Sequence, residues 1–408
     1  MKISTLIKRE PFSEIFEKTM ESFLGDLTSS TCTVQWKVDT NFKQDLVVGQ
    51  RWYCNPLINS VFVKGVNSKV FSSINGEYKH NPLRPWLSIV QKLYLILSQA
   101  KLTAIFFTKY TITISPPVLE AKDKLIIGGN TKLRMIDISN NKVYVILKEG
   151  FDSKYLEQEL YPRTNFPYIP IPKVIERSDN TTWYCEEYIV GLPTSRINKD
   201  IGNQILAKAV GCVHKMLNET KEKVILGEYT THLKSKINQK IDNISYINKS
   251  VNNNIKQITY SLVESLDQYS DNLITMAYCH GDFHQGNILT NGEKFWILDW
   301  EFSGKKQIFY DLIILLLGTR MDNGFSSRFI KLLNSEYNAY SKELINNWPE
   351  NQWHNDIQKK IDLTVFLLED IIFYIDEIDN DIFYQNQNVM TLRCKELKII
   401  TNHLTGQA

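Results

Sequence analysis

The stretch AYCHGDFHQGNIL, from Ala277 to Leu289, sets two histidines, an aspartate and an asparagine between apolar residues. The chain continues TNGEKFWILDWEF, in which two apolar runs flank an Asn-Gly pair. Such a pair between apolar runs is the strongest short signal for a β-hairpin. When the chain folds back at this turn, the loop that contains Asp282 and Asn287 comes to lie beside the residues around Asp299. We therefore expect Asp282, Asn287 and Asp299 to gather at the open end of a hairpin.

These three side chains suit a magnesium site beside a proton acceptor. Mg²⁺ prefers oxygen ligands, takes only one or two carboxylates from a protein, and completes its shell with water and substrate phosphates. Asn287 and Asp299 are the predicted metal ligands. Asp282, earlier in the loop, is placed to accept a proton from an attacking hydroxyl group.

The composition is that of a globular protein with nearly balanced charge. The chain has 408 residues, 43% of them hydrophobic, and a formal net charge of +2. This balance gives no electrostatic reason to expect a nucleic acid partner. Six cysteines without a CxxC pair indicate reduced thiols. We expect a cytoplasmic protein, because the sequence shows neither a secretory signal nor an apolar run long enough to span a membrane.

Outward from the hairpin, the chain predicts a small β-rich lobe followed by a larger, mainly helical lobe. Three alternating runs within residues 124–149 predict an antiparallel meander, SKYLEQELY a helix, and TTWYCEEYI a further strand. The region before Pro116-Pro117 mixes β-rich runs with one amphipathic candidate helix, WLSIVQKLYLILSQ. We predict an α+β fold in three regions: an N-terminal extension with α/β character at 1–115, a β-rich lobe at 116–191, and a helical lobe at 192–408.

A short set of residues carries a family resemblance: His280-Gly281-Asp282, then Asn287, then ILDWE ending at Glu301. The pattern resembles the aminoglycoside phosphotransferase and choline kinase family. That family has a bilobal protein-kinase-like fold and moves the γ-phosphate of ATP to a small-molecule alcohol. The resemblance implies that Asp282 is the catalytic base and that Asn287 and Asp299 bind the metal.

Other residues take structural roles under the same resemblance. FSGKKQIFYDLIILL is similar to the family's segment leading into a Tyr-Asp-Leu helix, which makes Asp311 an anchor rather than a catalyst. His280 is expected to brace the loop by hydrogen bonds, and His284 to be structural or exposed. His214, in LAKAVGCVHKML, is expected to be a packing residue.

If the phosphate donor is ATP or another nucleoside triphosphate, the small lobe must supply positive charge to bind its phosphates. A strand lysine paired with a helix carboxylate usually supplies that charge. Lys148 ends the run VYVILK, and we prefer Glu157 to Glu159 as its partner on the following helix. Gly128 and Gly129 form a turn that allows the backbone to approach phosphates closely.

The adenine contacts are assigned by resemblance to the family's hinge. EEYIVG lies between the predicted lobes, and Glu187, Tyr188 and Ile189 are the residues expected to hold the base. The resemblance therefore makes residues 116–191 the nucleotide-binding lobe and residues 192–408 the lobe with the catalytic loop and the acceptor site.

The acidic residues of FLLEDIIFYIDEID are expected to form an ordinary solvated helix face. The corresponding region of aminoglycoside kinases supplies carboxylates to cationic substrates, which is the alternative role. The residues concerned are Glu369, Asp370, Asp376 and Glu377.

The leading hypothesis is an ATP- and Mg²⁺-dependent kinase of a small hydroxylated molecule: an amino sugar or aminoglycoside, choline or ethanolamine, or a sugar. A metallophosphoesterase is discounted, because the GNH[DE] element that should follow GDFH is missing from the sequence. HGD in place of HRD argues against a protein kinase. A catalytically inactive kinase-like scaffold or binding protein is the remaining alternative. Residues 1–115 could dock a partner, cap the ligand site or form a homo-oligomer.

Overall fold

A nine-stranded antiparallel sheet is the main element of the first of two compact units, Met1–Glu157 with Ile171–Leu192. The computed structural model describes residues 2–38, 49–71, 85–100, 103–244, 248–318, 324–350, 353–378 and 387–406. The strands lie in the order β1-β4-β2-β3-β5-β6-β7-β9-β8. Their bounds are β1 Thr33–Val38, β2 Gln50–Asn55, β3 Ser60–Val63, β4 Tyr110–Ser115, β5 Lys124–Gly128, β6 Lys132–Asp137, β7 Lys142–Leu147, β8 Val174–Arg177 and β9 Trp183–Glu187.

Helix α2 (Phe12–Thr28) supplies much of the core of this unit. Phe12, Phe16, Met20 and Phe23 recur at helical spacing and are buried against the sheet. The ring of Phe23 lies 5.6 Å from that of Trp183 in a T-shaped contact. Full burial of each such side chain stabilises the fold by roughly 1.5–3 kcal/mol. The other helices that begin in this unit are α1 (Ile3–Arg9), α3 (Pro85–Gln99) and α4 (Lys154–Asn165).

Strands β1, β2, β3 and β4 share one sheet with the strands of the predicted β-rich lobe. Val61 of β3 pairs with Ile126 of β5, which joins the four N-terminal strands to the five that follow. Pro116-Pro117, where the sequence pattern breaks, lies within the first unit and not between the two units. The predicted meander is confirmed as β5, β6 and β7, which pair in sequence order.

The second unit comprises Gln158–Pro170 and Pro193–Ala408 and is mainly helical. β12 pairs with β11 on one side and with β15 on the other, while β13 and β14 form a separate hairpin. The strand bounds are β10 Leu192–Pro193, β11 Glu222–Ile225, β12 Leu273–Cys279, β13 Ile288–Thr290, β14 Phe295–Ile297 and β15 Gly304–Gln307. The helices are α5 Lys199–Thr220, α6 Leu226–Asn243, α7 Lys249–Glu264, α8 Tyr310–Leu317, α9 Phe325–Leu333, α10 Ala339–Asn346, α11 Asp356–Ile378 and α12 Gln387–Thr405.

Local sequence explains where α5 begins and which face it buries. The side chain of Asn198 accepts hydrogen bonds from the backbone N–H groups of Asp200 and Ile201, which caps the helix. Leu206 and Val213 recur on its buried face, as the amphipathic pattern predicts. The predicted α+β class, with a β-rich part followed by a mainly helical part, is confirmed. In the described part of the chain, no helix is both long and apolar enough for a membrane span.

Candidate active site

The predicted hairpin is present and positions the candidate site. Ile288 of β13 pairs with Ile297 of β14, and the side chain of Asn291 accepts backbone hydrogen bonds within the tight turn. The backbone N–H of Leu298 donates to the carbonyl oxygen of Asn287 at 2.9 Å, which continues the pairing by one residue. Asp299 follows Leu298 directly, so the hairpin brings the two predicted metal ligands to the same end.

Asp311, the second residue of α8, anchors the start of the loop. Its carboxylate accepts the backbone N–H of His280 at 2.7 Å and that of Gly281 at 2.9 Å. Asp311 is fully buried, and burial raises the pKa of its carboxyl group although both hydrogen bonds favour the charged form. The predicted structural role of Asp311 is therefore seen directly.

Two features of the backbone at position 281 require glycine. Its φ is +83°, in the left-handed region that side chains disfavour. A Cβ at this position would lie 2.0 Å from the carbonyl oxygen of Phe302. The glycine of the HGD motif is thus required by conformation and by close packing.

His280 braces the loop, as expected. Its ring is fully buried and packs against Trp300 with the ring centroids 4.4 Å apart. Nε2 lies 2.8 Å from the carbonyl oxygen of Leu298, so this nitrogen must donate, and Nδ1 accepts the backbone N–H of Asp282 at 3.2 Å. These bonds require the neutral ring, and burial lowers the pKa of His280 accordingly.

The side chains of Asp282 and Asn287 are in direct contact. Asn287 Nδ2 donates to the Asp282 backbone oxygen at 3.0 Å and to its Oδ2 at 3.2 Å. The Asp282 side chain is 25% exposed, so its carboxylate can meet a ligand, whereas Asn287 is buried. Since the amide nitrogen of Asn287 faces Asp282, its Oδ1 is the atom suited to bind a metal.

His284, which was expected to be structural or exposed, is partly exposed and lies beside the candidate base. Its Nδ1 accepts the backbone N–H of Gly286 at 2.9 Å, and its Nε2 lies 3.5 Å from Asp282 Oδ2. A neutral ring with this pattern carries its proton on Nε2, on the side of the carboxylate.

Asp299 has a backbone conformation that few residues adopt. Its φ is +61°, a left-handed value in which aspartate is better tolerated than most residues. Together with Asn287 it offers an oxygen-only donor set of one carboxylate and one amide. The described residues contain no cluster of three His, Cys, Asp or Glu side chains able to hold a metal. This donor set fits Mg²⁺, which accepts few protein ligands and retains water, better than Zn²⁺.

Lys148, at the end of β7 in the first unit, is ion-paired with a residue that the sequence analysis missed. Its Nζ lies 2.5 Å from Glu10 Oε1 and donates to the backbone oxygen of Asn130 at 2.6 Å. The predicted partner, Glu157, is exposed and accepts a hydrogen bond from Ser153 at 2.9 Å. The proposed pair of Lys148 with Glu157 is corrected, because Glu157 lies outside the buried face of α4.

The Gly128-Gly129 turn is tightly packed. A Cβ on Gly128 would lie 2.7 Å from Ile3 Cγ1, and one on Gly129 would lie 2.6 Å from the carbonyl oxygen of Lys132. The backbone oxygen of Gly128 also accepts a hydrogen bond from Asn59 at 2.9 Å. The two glycines do let other atoms pack closely against this turn, and at Gly128 those atoms belong to Ile3 of α1.

The predicted adenine contacts lie at the end of β9 and just beyond it. The backbone N–H of Glu187 donates to Lys173 at 3.0 Å, and that of Tyr188 donates to Asn141 at 3.0 Å. Ile189 follows, partly exposed. Hydrogen bonding to a base by this segment therefore stays a prediction.

The acidic residues of α11 do not form the solvated face that the sequence suggested. Glu369 is buried and accepts hydrogen bonds from the Tyr229 hydroxyl at 2.6 Å and from the backbone N–H of Gln307 at 2.9 Å. Burial raises its pKa to about 7. Asp370 is buried in an ion pair with Arg393. That expectation was wrong for these two residues, because α11 is buried on nearly all sides between residues 361 and 372.

No curated protein matches the sequence significantly. Among solved structures, the chain is similar to a choline/ethanolamine kinase family protein from Mesorhizobium loti, with 16% identity, 78% of this chain and 99% of that chain covered, and a TM-score of 0.40. It is similar to choline kinase LicA from Streptococcus pneumoniae, with 15% identity, 68% and 90% coverage and a TM-score of 0.40. A thermostable mutant of aminoglycoside phosphotransferase APH(4)-Ia shows 14% identity, 70% and 95% coverage and a TM-score of 0.45.

The sequence model described as the phosphotransferase enzyme family matches residues 256–350. This stretch contains the whole catalytic-loop candidate and its anchor: Asp282, Asn287, Asp299 and Asp311. The resemblance predicted from these residues is confirmed, and over residues 256–350 the chain carries the sequence pattern of the phosphotransferase enzyme family.

Proposed function

We propose that this protein is an ATP- and Mg²⁺-dependent phosphotransferase that moves the γ-phosphate to a hydroxyl group of a small molecule. The observation that carries the proposal is the contact between Asp282 and Asn287 at the end of the hairpin that also presents Asp299. The match to the phosphotransferase enzyme family over residues 256–350 supports it, because it covers all three residues.

Asp282 is assigned to the acceptor hydroxyl. Its partly exposed carboxylate accepts the hydroxyl hydrogen bond, orients the oxygen toward the phosphorus, and takes the proton as the new P–O bond forms. The Asn287 amide donates to this carboxylate and holds it in position, while the bond from the backbone N–H of Asp282 to His280 holds its backbone. Such positioning accounts for a large part of catalysis in phosphoryl transfer.

Asn287 Oδ1 and the Asp299 carboxylate would hold the magnesium ion. When bound, the ion neutralises charge on the transferred phosphate. The pairing of Asn287 with Leu298 keeps the two ligand-bearing residues in register, and the left-handed backbone of Asp299 turns the chain directly after β14.

The nucleotide is assigned to residues of the first unit. Lys148 would contact the phosphates, Gly128 and Gly129 would approach them through the backbone, and residues 187–189 would hold the adenine. ATP and other nucleoside triphosphates share the phosphates that these groups recognise, so the choice of base is left to measurement.

The acceptor candidates are an amino sugar or aminoglycoside, choline or ethanolamine, and a sugar. In α11, Asp376 pairs with Lys240 at 2.5 Å, and both side chains are partly exposed. Glu369 and Asp370 are buried, so recognition of a cationic acceptor by these two carboxylates is not part of the proposal.

The test is Mg²⁺-dependent ADP formation from ATP with each acceptor class in turn, comparing wild type with Asp282→Asn. Asp271→Asn, an exposed aspartate of the same unit, is the matched control. We expect one class to stimulate turnover in wild type and in the control but not in Asp282→Asn. Turnover that survives in Asp282→Asn would contradict the assigned role.

A catalytically inactive, kinase-like binding protein is the second candidate, and one observation favours it. The Lys148 side chain is fully buried, so its ammonium has no exposed surface to offer to a nucleotide phosphate. Absence of any nucleotide-induced rise in thermal stability would support this candidate and would direct attention to partner binding or self-association through residues 1–115.

A further inference from the structure

His284 begins the short turn that carries Asn287. The turn is a 3-10 helix, Gln285–Asn287, and the side chain of His284 caps it, because Nδ1 accepts the backbone N–H of Gly286 at 2.9 Å. The backbone oxygen of His284 also accepts the N–H of Asn287 at 3.0 Å. Together these contacts fix the ring of His284 relative to the loop backbone.

Gly286 leaves the space that the His284 ring fills. A Cβ at position 286 would lie 2.6 Å from Cε1 and 2.8 Å from Nδ1 of this ring. Carbon atoms in contact are normally separated by roughly 3.5–4.0 Å, so a side chain here would push the ring out of place. The φ of Gly286 is not positive, so space for the ring is the reason for glycine at this position.

The residues on either side of His284 are held within the second unit. Phe283 is fully buried, and the hydroxyl group of Thr194, itself buried, donates to the backbone oxygen of Gln285 at 3.0 Å. The side chain of His284 is 30% exposed. The ring therefore lies at the surface on a backbone that is fixed on both sides.

The second ring nitrogen of His284 faces the candidate base. Nε2 lies 3.5 Å from Asp282 Oδ2, and Asn287 Nδ2 lies 3.2 Å from the same oxygen. Because Nδ1 accepts a hydrogen bond, the neutral ring carries its proton on Nε2. This tautomer donates to the carboxylate and does not take a proton from it. The role open to His284 is therefore that of a donor to Asp282, not that of a second base.

An aspartate that orients a hydroxyl group benefits from a second donor. The Asp282 side chain is 25% exposed, and the rotation of an aspartate carboxylate about its Cβ–Cγ bond is only weakly restricted. Catalytic groups must be held within roughly 10–20° of their productive orientation. Two donors from different residues, converging on one carboxylate oxygen, restrict this rotation more than the Asn287 amide does by itself.

We propose that His284 is a positioning residue for Asp282. Its Nε2–H group donates to Oδ2 and, with the Asn287 amide, holds the carboxylate in the orientation that meets the acceptor hydroxyl. The separation of 3.5 Å shortens when the reactants bind, as hydrogen bonds of catalytic groups commonly do. Gly286 belongs to the same arrangement because it admits the ring. This inference rests on the proposed function, which assigns Asp282 to the acceptor hydroxyl.

Two amide variants separate the roles of the two ring nitrogens. In His284→Asn the side-chain oxygen reaches the position of Nδ1 and can cap the turn, but no atom replaces Nε2. In His284→Gln the amide nitrogen reaches the position of Nε2 and can donate to Asp282, but the cap is lost. His232→Asn, at an exposed histidine of the same unit, is the control.

Steady-state kinetics use Mg²⁺-ATP with an aminoglycoside, choline, ethanolamine and a sugar as acceptors in turn. We expect His284→Asn to lower kcat roughly 10- to 100-fold while the KM for ATP and the melting temperature stay those of wild type. His284→Gln should retain most of the wild-type kcat but melt at a lower temperature, because it lacks the cap. Wild-type kcat in His284→Asn, or an equal loss of kcat in both amide variants, would overturn the positioning role.

Asp282→Asn, measured beside these variants, separates the inference from the proposed function. An inactive Asp282→Asn together with a fully active His284→Asn would overturn the positioning role alone. Full activity in Asp282→Asn, or no transfer by wild type to any of the acceptors, would show that the proposed function fails and the inference with it.

NMR of protein labelled at the histidine ring nitrogens covers the case in which the amide variants do not fold. We expect the Nε2–H tautomer for His284 in wild type, with a ring-nitrogen signal that shifts in Asp282→Asn but not in Asp271→Asn. A proton on Nδ1, or a signal that does not respond to Asp282→Asn, would contradict the proposal.

Discussion

The amide nitrogen of Asn287 donates to the carboxylate of Asp282 at 3.2 Å, so the candidate metal ligand and the candidate base hold each other in place. The contact fixes which atom of Asn287 faces Asp282 and which is suited to a cation. A change at either residue should therefore alter both metal dependence and turnover.

Asn287→Ala should raise the Mg²⁺ concentration needed for half-maximal activity and lower kcat by roughly 100-fold, because it removes a metal ligand and the donor to Asp282. Activity titrations against Mg²⁺ provide the measurement. Asn243→Ala, an exposed position in the same unit, is the control. An Asn287→Ala enzyme with wild-type magnesium dependence would rule out the ligand role.

Asp311→Asn should destabilise the protein by roughly 1–3 kcal/mol. The amide retains one acceptor oxygen, but its NH₂ group then faces a buried backbone N–H of either His280 or Gly281. Urea unfolding of the variant beside Asp271→Asn measures the difference. If the two variants unfold at the same urea concentration, Asp311 does not anchor the loop.

Gly281→Ala should cost at least about 2 kcal/mol of stability, because strain at positive φ adds to a direct clash with Phe302. Gly292→Ala separates the two effects, since Gly292 has φ +97° but nothing within 4 Å of the added Cβ. Thermal or urea unfolding of both variants gives the comparison. We expect Gly281→Ala to be clearly the less stable, and equal losses would mean that the clash with Phe302 is relieved at no cost.

His214→Gln should remove part of the acid sensitivity of folding. The ring of His214 packs edge-on against Trp348, and burial lowers its pKa from 6.5 to about 4. Between these values the unfolded chain binds a proton that the folded protein does not, so stability falls as pH falls from about 6.5 towards 4.

Relative to wild type, His214→Gln should therefore gain roughly 1 kcal/mol between pH 7 and pH 5, less than the whole pKa difference would give because solvent reaches part of the ring. Unfolding curves at both pH values, with the exposed His232→Gln as control, measure this gain. A difference between His214→Gln and wild type that does not change with pH would show that His214 titrates alike in the folded and unfolded states.

The hairpin and the loop could be predicted from the sequence because their determinants are local. Asn291-Gly292 specifies the turn, and the spacing from Asp282 to Asn287 lies within a few residues of it. Glu10 could not be predicted in the same way, since its pairing with Lys148 depends on contacts 138 residues apart. No local pattern marks a charged residue at a helix junction as the partner of a distant strand lysine.

Burial of the α11 carboxylates was missed for a related reason. FLLEDIIFYIDEID has acidic residues that a helical projection places beside apolar ones, so the sequence alone favours a solvated face for them. The structure buries Glu369 and Asp370 because partners from elsewhere, Tyr229 and Arg393, satisfy them. A buried charge becomes predictable only when its partner is known.

The most direct test of the central claim is phosphoryl transfer itself. Wild type, Asp282→Asn and Asp271→Asn would be incubated with Mg²⁺-ATP and the acceptor that stimulates turnover, and the phosphorylated product quantified by mass spectrometry. We predict product from wild type and Asp271→Asn at similar rates, and a loss of at least about 100-fold in Asp282→Asn. Comparable product from Asp282→Asn, or ADP formed without a phosphorylated acceptor, would contradict the account.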